Sequence, residues 1–184
     1  NVWSLRELPP RLLVLGGGPI GCELAQAFAR LGSQVAQVEM LPRLMAREDE
    51  EVSALVEEGF RAEGIALYLQ HEAVRVVADA EGKRMVVRDL SRDGAEAEIA
   101  FDAVLVAVGR AANLKGYGLE ELGIPAGRTV EVNEFLQTRY PNIYAAGDVA
   151  GPYQFTHTAA HQAWYAAVNA LFDPLKKFRA DYSV

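Results

Sequence analysis

The sequence has a single cysteine, Cys22, among its 184 residues. One cysteine excludes a disulfide within the chain, a CxxC zinc site and a redox pair, and we expect Cys22 to be a small core residue of the first helix. No run of about 18 apolar residues is present, so no segment is predicted to span a membrane. No signal peptide is visible either. These absences favour a cytoplasmic location.

Basic residues are outnumbered, since 18 lysines and arginines stand against 25 aspartates and glutamates, giving a net charge of −7. No basic stripe appears, which argues against a nucleic-acid partner. Hydrophobic residues make up 51% and charged residues 23%, which is typical of a globular protein. The length permits one large domain or two small ones. The chain begins at Asn1 rather than Met, and we interpret it as a piece of a longer chain.

The most informative local pattern is an apolar run that ends in Gly-x-Gly-x-x-Gly, at Gly16, Gly18 and Gly21. An alanine-rich helical pattern follows at once, and this strand–turn–helix places a dinucleotide pyrophosphate on a helix N-terminus. The first glycine permits the tight turn, the second leaves the backbone open to phosphate, and the third lets the helix pack closely on the sheet. Pro19 and Ile20 lie inside the turn and are counted with the cofactor-binding residues.

A carboxylate, Glu39, lies at the end of the second predicted strand, 18 residues beyond Gly21. At such a distance a carboxylate accepts hydrogen bonds from the adenosine ribose hydroxyls and repels a 2′-phosphate, which favours NAD over NADP. Arg43, four residues further on, leaves a preference for NADP open. Without the glycines, Glu39 would be interpreted as a solvated acid at a strand end.

The hydrophobic periodicity of the first half predicts a β-α-β-α-β pattern and a parallel sheet. Strands are expected at 11–15, 34–39 and 65–69, and helices at 20–31 and 45–63. Three β-rich segments, 73–78, 84–90 and 95–101, are separated by turn signals and predict an inserted antiparallel meander. The apolar run 103–108 then predicts a buried parallel strand that rejoins the sheet.

The second half is less regular. We expect a short helix at 119–122, short strands at 129–132, 135–138 and 143–146, and a final helix at 156–172 that ends at Asp173-Pro174. Strands with unpaired edges invite pairing with another copy. Residues 129–184 are therefore predicted to pack against a second molecule or to dock in a non-native way.

Three blocks stand in order: GGGPIGCE at 16–23 with Glu39, AVGR at 107–110 with Asn113, and PNIYAAGDV at 141–149 after Thr138. Together they resemble the pyridine nucleotide–disulfide oxidoreductase family, which includes dihydrolipoamide dehydrogenase, glutathione reductase and mercuric reductase. The segment YQFTHTA at 153–159 is most similar to the mercuric-reductase-like branch. The resemblance covers nearly the whole chain.

The resemblance implies a role for each matching residue near the nicotinamide. The three glycines and Glu39 would hold the NAD pyrophosphate and ribose. Glu23 matches a helix acid, assigned here as catalytic, that pairs with a flavin-side lysine absent from this chain; the alternative is a polar helix residue satisfied by backbone or water. Gly109 matches the residue whose backbone lies near the nicotinamide, and Arg110 follows it.

The resemblance also implies a partial flavin site. Asp148, after Gly147, matches the acid that accepts hydrogen bonds from the flavin ribityl chain. Thr156 and His157 match the start of a helix whose N-terminus points at the flavin pyrimidine edge, where the reduced flavin carries negative charge. His157 is either a donor to the flavin carbonyl or a structural residue at the helix start.

The implied fold class is α/β: a Rossmann-like parallel sheet with helices and an inserted antiparallel meander, followed by a partial FAD-domain segment. Residues 1–112 would bind NAD(H), and 113–184 would form the carboxyl-terminal portion of the FAD-binding domain and the start of a linker to a missing dimerisation domain. The parent, a homodimeric FAD-dependent enzyme, would pass hydride from NADH to FAD and on to a disulfide or another acceptor.

Several family features are absent from the sequence: the first FAD glycine fingerprint, the CxxxxC disulfide and the His-Glu pair. The piece itself is therefore expected to bind NADH weakly and to lack turnover. Pro19 replaces the usual aromatic gate, which puts gating at that position in doubt.

No metal site is predicted. The alternatives are a non-catalytic NAD(H)-sensing Rossmann module, which the Gly147-Asp148 block argues against, and a methyltransferase or other nucleotide fold that shares the first glycines.

Overall fold

The computed structural model describes residues 2–173, 175 and 177–182. The chain divides into two compact units, Asn1–Gly109 and Arg110–Val184. The division lies close to the predicted boundary after residue 112, while the roles assigned to the two domains stay predictions. In chain order the helices and strands are β1 (Arg11–Leu15), α1 (Pro19–Leu31), β2 (Gln34–Glu39), α2 (Glu50–Ala62), β3 (Ala66–Leu69), β4 (His71–Asp79), β5 (Gly82–Asp89), β6 (Glu96–Phe101), β7 (Ala103–Val106) and α3 (Thr156–Phe172).

The first unit is built on a four-stranded sheet with the order β3-β2-β1-β7, in which every pairing is parallel. On one face of this sheet, Leu12 and Val14 of β1 pack against Cys22 and Ala25 of α1 and Phe60 of α2. Because successive residues of a strand point to opposite faces, Leu13, between Leu12 and Val14, points to the other face. Cys22 is 6% exposed, which confirms its predicted place in the core.

The other face of the sheet is covered by the inserted meander, a three-stranded antiparallel sheet with the order β4-β5-β6. Leu13 of β1 and Val38 of β2 pack against Met85, Val87 and Phe101 of the meander. The first unit thus has helices on one face of the parallel sheet and the meander on the other. The predicted Rossmann-like α/β fold with an inserted meander is confirmed.

The second helix is shorter than predicted, because α2 begins at Glu50 and not at residue 45. Met45 has a positive φ of 49°, which a right-handed helix does not accommodate. The guanidinium of Arg43 donates to the carbonyls of Ala46 and Glu48 at 3.1 and 2.9 Å. These contacts fold the chain before α2 into turns, and the apolar periodicity could not distinguish them from helix.

The predicted buried strand at 103–108 is also corrected. β7 ends at Val106 and is an edge strand of its sheet. The meander leaves one face of β7 uncovered, so that Val104, Val106 and Val108 are 41%, 64% and 71% exposed. A continuous apolar run predicts burial on both faces, but here only the face carrying Ala103 and Leu105 packs against the helices.

The second unit is built around the 17-residue helix α3, whose predicted bounds are confirmed, and a small apolar cluster of Leu119, Ile124 and Val130. The predicted helix at 119–122 is a single turn, closed by the N–H of Ile124 donating to the carbonyl of Leu119 at 2.9 Å. The three predicted strands are reduced to isolated bridges, since no neighbouring strand among the described residues of this unit pairs with them. Pro174 lies outside the described residues, as do 176, 183 and 184 of the segment 129–184.

Among the described residues, no helix combines the length and the hydropathy that crossing a bilayer requires.

Candidate functional site

The glycine turn lies between β1 and α1, and two of its glycines are required by close backbone contacts. Gly16 has a φ of +105°, and a Cβ there would lie 2.4 Å from the carbonyl oxygen of Ala107. A Cβ at Gly21 would lie 2.2 Å from the carbonyl oxygen of Gly16. Gly18 differs, because a Cβ there would meet no atom within 4 Å. The space above Gly18 is therefore open to a ligand.

Helix α1 begins directly after this open glycine. Gly18 is the N-cap, in an extended conformation, with no side chain capping the helix, and Pro19 occupies the first turn. The N–H groups of a first helical turn have no partner within the helix, and the helix dipole makes this end electropositive. Such an end binds a phosphate group. The predicted pyrophosphate-binding glycines, Gly16, Gly18 and Gly21, and the cofactor-binding residues Pro19 and Ile20 all lie in or beside this turn.

Glu39 reaches the glycine turn from the end of β2. Its Oε2 accepts the N–H of Gly17 at 2.5 Å, and its Oε1 accepts the N–H of Leu41 at 2.8 Å. A Cβ at Gly17 would lie 2.9 Å from Cγ of Glu39, so Gly17 is also needed for this approach. The structure brings the predicted ribose-binding carboxylate next to the predicted phosphate-binding turn.

Two buried residues, Gln37 and Cys22, support the turn from beneath, and neither contact was predicted from the sequence. Gln37 is fully buried and its Nε2 donates to the carbonyl of Gly16 at 2.9 Å. The thiol of Cys22 donates to the carbonyl of Gly17 at 3.4 Å, and burial raises the pKa of that thiol. The available signal in the sequence was a polar residue, Gln37, between the apolar residues Ala36 and Val38 of the second strand.

Glu23 and Gly109, the other predicted site residues of the first unit, are exposed, and Arg43 is half-buried. Glu23 lies on α1 at the rim of a groove of about 310 Å³ between α1 and α2, and in the described part of the chain its carboxylate makes no hydrogen bond or ion pair. Gly109, after β7, has a φ of +120° with open space around it. Arg43, whose charge left a preference for NADP open, donates two hydrogen bonds to backbone carbonyls of the loop before α2.

In the second unit, Asp148 lies in a short 3-10 helix, Gly147–Val149. Nη1 of Arg110 is 4.0 Å from Oδ2 of Asp148 and donates to the carbonyl of Gln154 at 3.5 Å. Gly147 has a φ of +80°, a conformation that favours glycine. The Asp148 side chain is 43% exposed, so its carboxylate can accept further hydrogen bonds.

Thr156 and His157 form the start of α3, as predicted. The preceding residue, Phe155, is the N-cap, and no side chain caps the helix. The rings of Phe155 and His157 stack with centroids 5.4 Å apart and planes 7° from parallel. The exposed first turn of α3 therefore offers free N–H groups and a positive dipole end to an anionic group.

The turn that carries Asp148 is fixed by a residue absent from the sequence predictions. Gln162 of α3 is fully buried, its Oε1 accepts the N–H of Gly147 at 2.6 Å, and its Nε2 donates to the carbonyl of Gly151 at 2.5 Å. Residues 147 and 151 flank Asp148, so one amide side chain holds both ends of its turn.

Across residues 2–173, 175 and 177–182, no group of three or more histidine, cysteine, aspartate or glutamate side chains is arranged to hold a metal ion.

A scan against protein-family models matches residues 1–163 to the family described as pyridine nucleotide-disulphide oxidoreductase. This chain belongs to that family. The predicted resemblance is thereby confirmed, and the glycine turn, the meander and the Asp148 segment all fall within the matched residues.

Known relatives and solved structures agree with the assignment. The chain is 39% identical over 168 residues to a dihydrolipoyl dehydrogenase of Bacillus subtilis, covering 91% of this chain and 36% of that protein. It is 40% identical over 170 residues to a mercuric reductase of Streptomyces lividans, covering 91% and 35%. It superimposes on the HOCl-induced flavoprotein disulfide reductase RclA from Escherichia coli with a TM-score of 0.83 and 30% identity, covering 98% of this chain and 40% of that one. The chain thus spans little more than a third of its curated relatives.

Proposed function

We propose that the first unit binds NADH as the hydride donor of an FAD-dependent oxidoreductase, and that the second unit supplies part of the flavin site. The observation that carries the proposal is the open space above Gly18 at the uncapped N-terminus of α1, with the carboxylate of Glu39 beside it. A phosphate and a neighbouring ribose match these groups in charge and in hydrogen-bonding capacity. Bound NADH would supply the hydride.

The residues of the first unit would position and select the dinucleotide. The first-turn N–H groups of α1 donate to the pyrophosphate, and Glu39 accepts a hydrogen bond from a ribose hydroxyl with lone pairs not used by Gly17 and Leu41. The negative charge of Glu39 disfavours a 2′-phosphate, and Arg43 is engaged by its own loop. Both features support NADH over NADPH. Glu23, free of partners among the described residues, is available to the flavin-side lysine that the family resemblance implies.

The residues of the second unit would hold and stabilise the flavin. Asp148 accepts hydrogen bonds from the ribityl hydroxyls, and the first turn of α3, at Thr156 and His157, stabilises negative charge at the pyrimidine edge. The names of the relatives, dihydrolipoyl dehydrogenase and mercuric reductase, support a disulfide or another acceptor in the whole protein. Because the chain spans about a third of such proteins, we expect it to bind NADH weakly and to lack turnover by itself.

The test is a calorimetric titration of the chain with NADH, NADPH and S-adenosylmethionine. Gly18→Ala is the informative variant, because the added methyl group meets no protein atom but occupies the space proposed for phosphate. We expect it to lower the melting temperature slightly, because alanine is a poorer N-cap than glycine, and to bind NADH at least about tenfold more weakly, a change of about 1.4 kcal/mol. Gly59→Ala is the matched control, since Gly59 of α2 is also surrounded by open space and lies outside the turn.

Two results would contradict the proposal. Tighter binding of S-adenosylmethionine than of NADH would place the chain in another class of nucleotide-binding protein. Equal NADH affinity in Gly18→Ala, Gly59→Ala and the unchanged chain would show that the dinucleotide does not use this turn. A stoichiometric yellow flavin in the purified chain would overturn the expectation that its flavin site is incomplete.

A further inference from the structure

The peptide that joins Gly16 to Gly17 is held from both sides by side chains of one strand. Nε2 of Gln37 donates to the carbonyl oxygen of Gly16 at 2.9 Å. Oε2 of Glu39 accepts the N–H of Gly17 at 2.5 Å. Gln37 and Glu39 are two residues apart on β2, so their side chains leave the same face of the strand. This peptide opens the glycine turn, and its orientation sets the path of the backbone that follows.

Gln37 occupies a position where an aliphatic side chain is the ordinary choice. It is fully buried, and its neighbour on the same face, Val35, belongs to the apolar core under α1 and α2. Its carbonyl Oε1 is buried without a hydrogen-bond partner among the described residues. An unpaired buried acceptor destabilises a fold. Local rules of this kind are broken in native proteins mainly at functional sites.

The amide group of Gln37 also fills the space directly beneath the turn. A Cβ at Gly21 would lie 3.2 Å from Nε2 of Gln37, so the amide lies against both the first and the third glycine of the motif. Cys22 extends the support, with its Sγ 3.7 Å from Nε2 of Gln37 and 3.4 Å from the carbonyl oxygen of Gly17. Burial raises the pKa of the Cys22 thiol.

We infer that Gln37 is a positioning residue for the dinucleotide. Together with Glu39 it clamps the Gly16–Gly17 peptide, and this clamp holds both the glycine turn and the Glu39 carboxylate in place before the ligand arrives. The inference rests on the proposed binding of NADH to this turn. Groups that are already ordered lose less freedom when a ligand binds, so the clamp raises the affinity for the dinucleotide.

The informative variant is Gln37→Met, which keeps the side-chain length and removes both the hydrogen bond to Gly16 and the unpaired carbonyl. The Gly16 carbonyl loses a partner while the unpaired carbonyl of Gln37 disappears. Because these two changes oppose each other, we expect a similar melting temperature, with NADH binding weakened about tenfold. Gln34→Met is the matched control, because Gln34 is an exposed glutamine of the same strand; it should leave both quantities unchanged. An unchanged NADH affinity in Gln37→Met would overturn the inference.

Hydrogen exchange of the Gly17 amide, followed by NMR, tests the clamp without a ligand. Exchange should be faster in Gln37→Met and in Glu39→Met, which removes the acceptor of the Gly17 N–H, and unchanged in Gln34→Met. If Gln37→Met does not fold, Glu39→Met reports the same clamp from its other side, and unchanged Gly17 exchange there would overturn it. If the unchanged chain binds no NADH while Gln37→Met still speeds Gly17 exchange, the proposed function fails and the clamp is supported.

Discussion

Gln162 and Gly147 are joined by the hydrogen bond that fixes the turn carrying Asp148, in which the glutamine Oε1 accepts the glycine N–H at 2.6 Å. The same side chain donates to the carbonyl of Gly151 and to the hydroxyl of Tyr182, at 2.5 and 2.7 Å. One buried amide therefore connects α3, the Asp148 turn and the C-terminal segment of the second unit.

Replacing Gln162 with methionine should destabilise the second unit, because the N–H of Gly147 and the carbonyl of Gly151 lose their partner in a buried place. Each buried group left without a partner costs about 1–3 kcal/mol, so we expect a loss of at least about 2 kcal/mol in the free energy of unfolding. Urea denaturation measures the loss, and faster hydrogen exchange of the Gly147 amide locates it. Gln154→Met is the control, since the side chain of Gln154 makes no hydrogen bond among the described residues; equal stability of both variants would contradict the prediction.

Asn169 fastens the segment at the end of the chain to α3. Its Nδ2 donates to the carbonyls of Phe135 and Phe178, at 3.0 and 2.8 Å, and its Oδ1 accepts the N–H of Phe178 at 2.7 Å. Asn169→Leu removes these bonds, and local opening becomes easier when such contacts are lost. Trypsin should then cut after Lys177 or Arg179 about tenfold faster, the change expected for roughly 1.4 kcal/mol.

Cleavage after the exposed Arg128, in the same digestion, is the internal control for Asn169→Leu. It should proceed at the same rate in both proteins, because no bond of Asn169 reaches that segment. A variant that is cut faster at both places has lost the whole unit, and a variant cut at the original rate at both places shows that Asn169 does not fasten the end of the chain.

The elements that local sequence predicts well are those whose boundaries are set by local chemistry. β1, β2 and α3 have their predicted bounds, and α1 ends where Gly32 takes a left-handed φ of 111°. The glycine turn was also predictable, because a Cβ at Gly16 or at Gly21 would lie only 2.4 or 2.2 Å from a backbone carbonyl oxygen. Requirements of this kind restrict the position to glycine and are therefore visible in the sequence.

What the sequence could not supply were contacts between distant residues. In the sequence, Gln37 is one polar residue of an alternating strand, and its hydrogen bond to Gly16 joins residues that are 21 positions apart. Gln162 reads as part of a helix surface and is in fact fully buried. The short strands expected at 129–132, 135–138 and 143–146 needed neighbouring strands, and local pattern does not show whether such neighbours exist.

Arg11 and Asp102 link the start of β1 to the turn before β7, with Nε to Oδ2 at 3.0 Å and Nη2 to Oδ1 at 2.7 Å. The hydrogen bond from the Arg11 side chain holds the pKa of Asp102 below its ordinary value. Since the folded-state pKa is depressed, this contribution to stability is present above the unfolded-state pKa, near 3.9. It is lost as the pH falls through the folded-state pKa.

Asp102→Asn should therefore melt below the unchanged protein at pH 7, and the difference should shrink as the pH is lowered past about 4. The effect should be small and weaken with added salt, because both side chains are partly exposed and exposed pairs are screened. Melting curves across that pH range measure it. Glu58→Gln is the control, as Glu58 is an exposed acid of α2 with no ion pair among the described residues; a gap that persists unchanged in acid would contradict the linkage.

The uncovered face of β7 predicts self-association of the isolated chain. β7 is an edge strand, and on one side it pairs with no other strand of the described residues. Val104 and Val106 of β7, and Val108 just after it, expose apolar surface. Unprotected apolar edges pair with other strands, and a lysine on the edge opposes such pairing. Light scattering during size-exclusion chromatography should show concentration-dependent association of the unchanged chain, and Val106→Lys should reduce it.

Leu31→Lys is the control for Val106→Lys, because Leu31 at the end of α1 is 68% exposed and the substitution adds the same charge away from the sheet edge. If both lysine variants reduce association equally, net charge and not the edge governs it. If the unchanged chain is a monomer at every concentration, β7 does not act as a pairing edge. The same result would contradict the expectation that residues 129–184 pack against a second molecule.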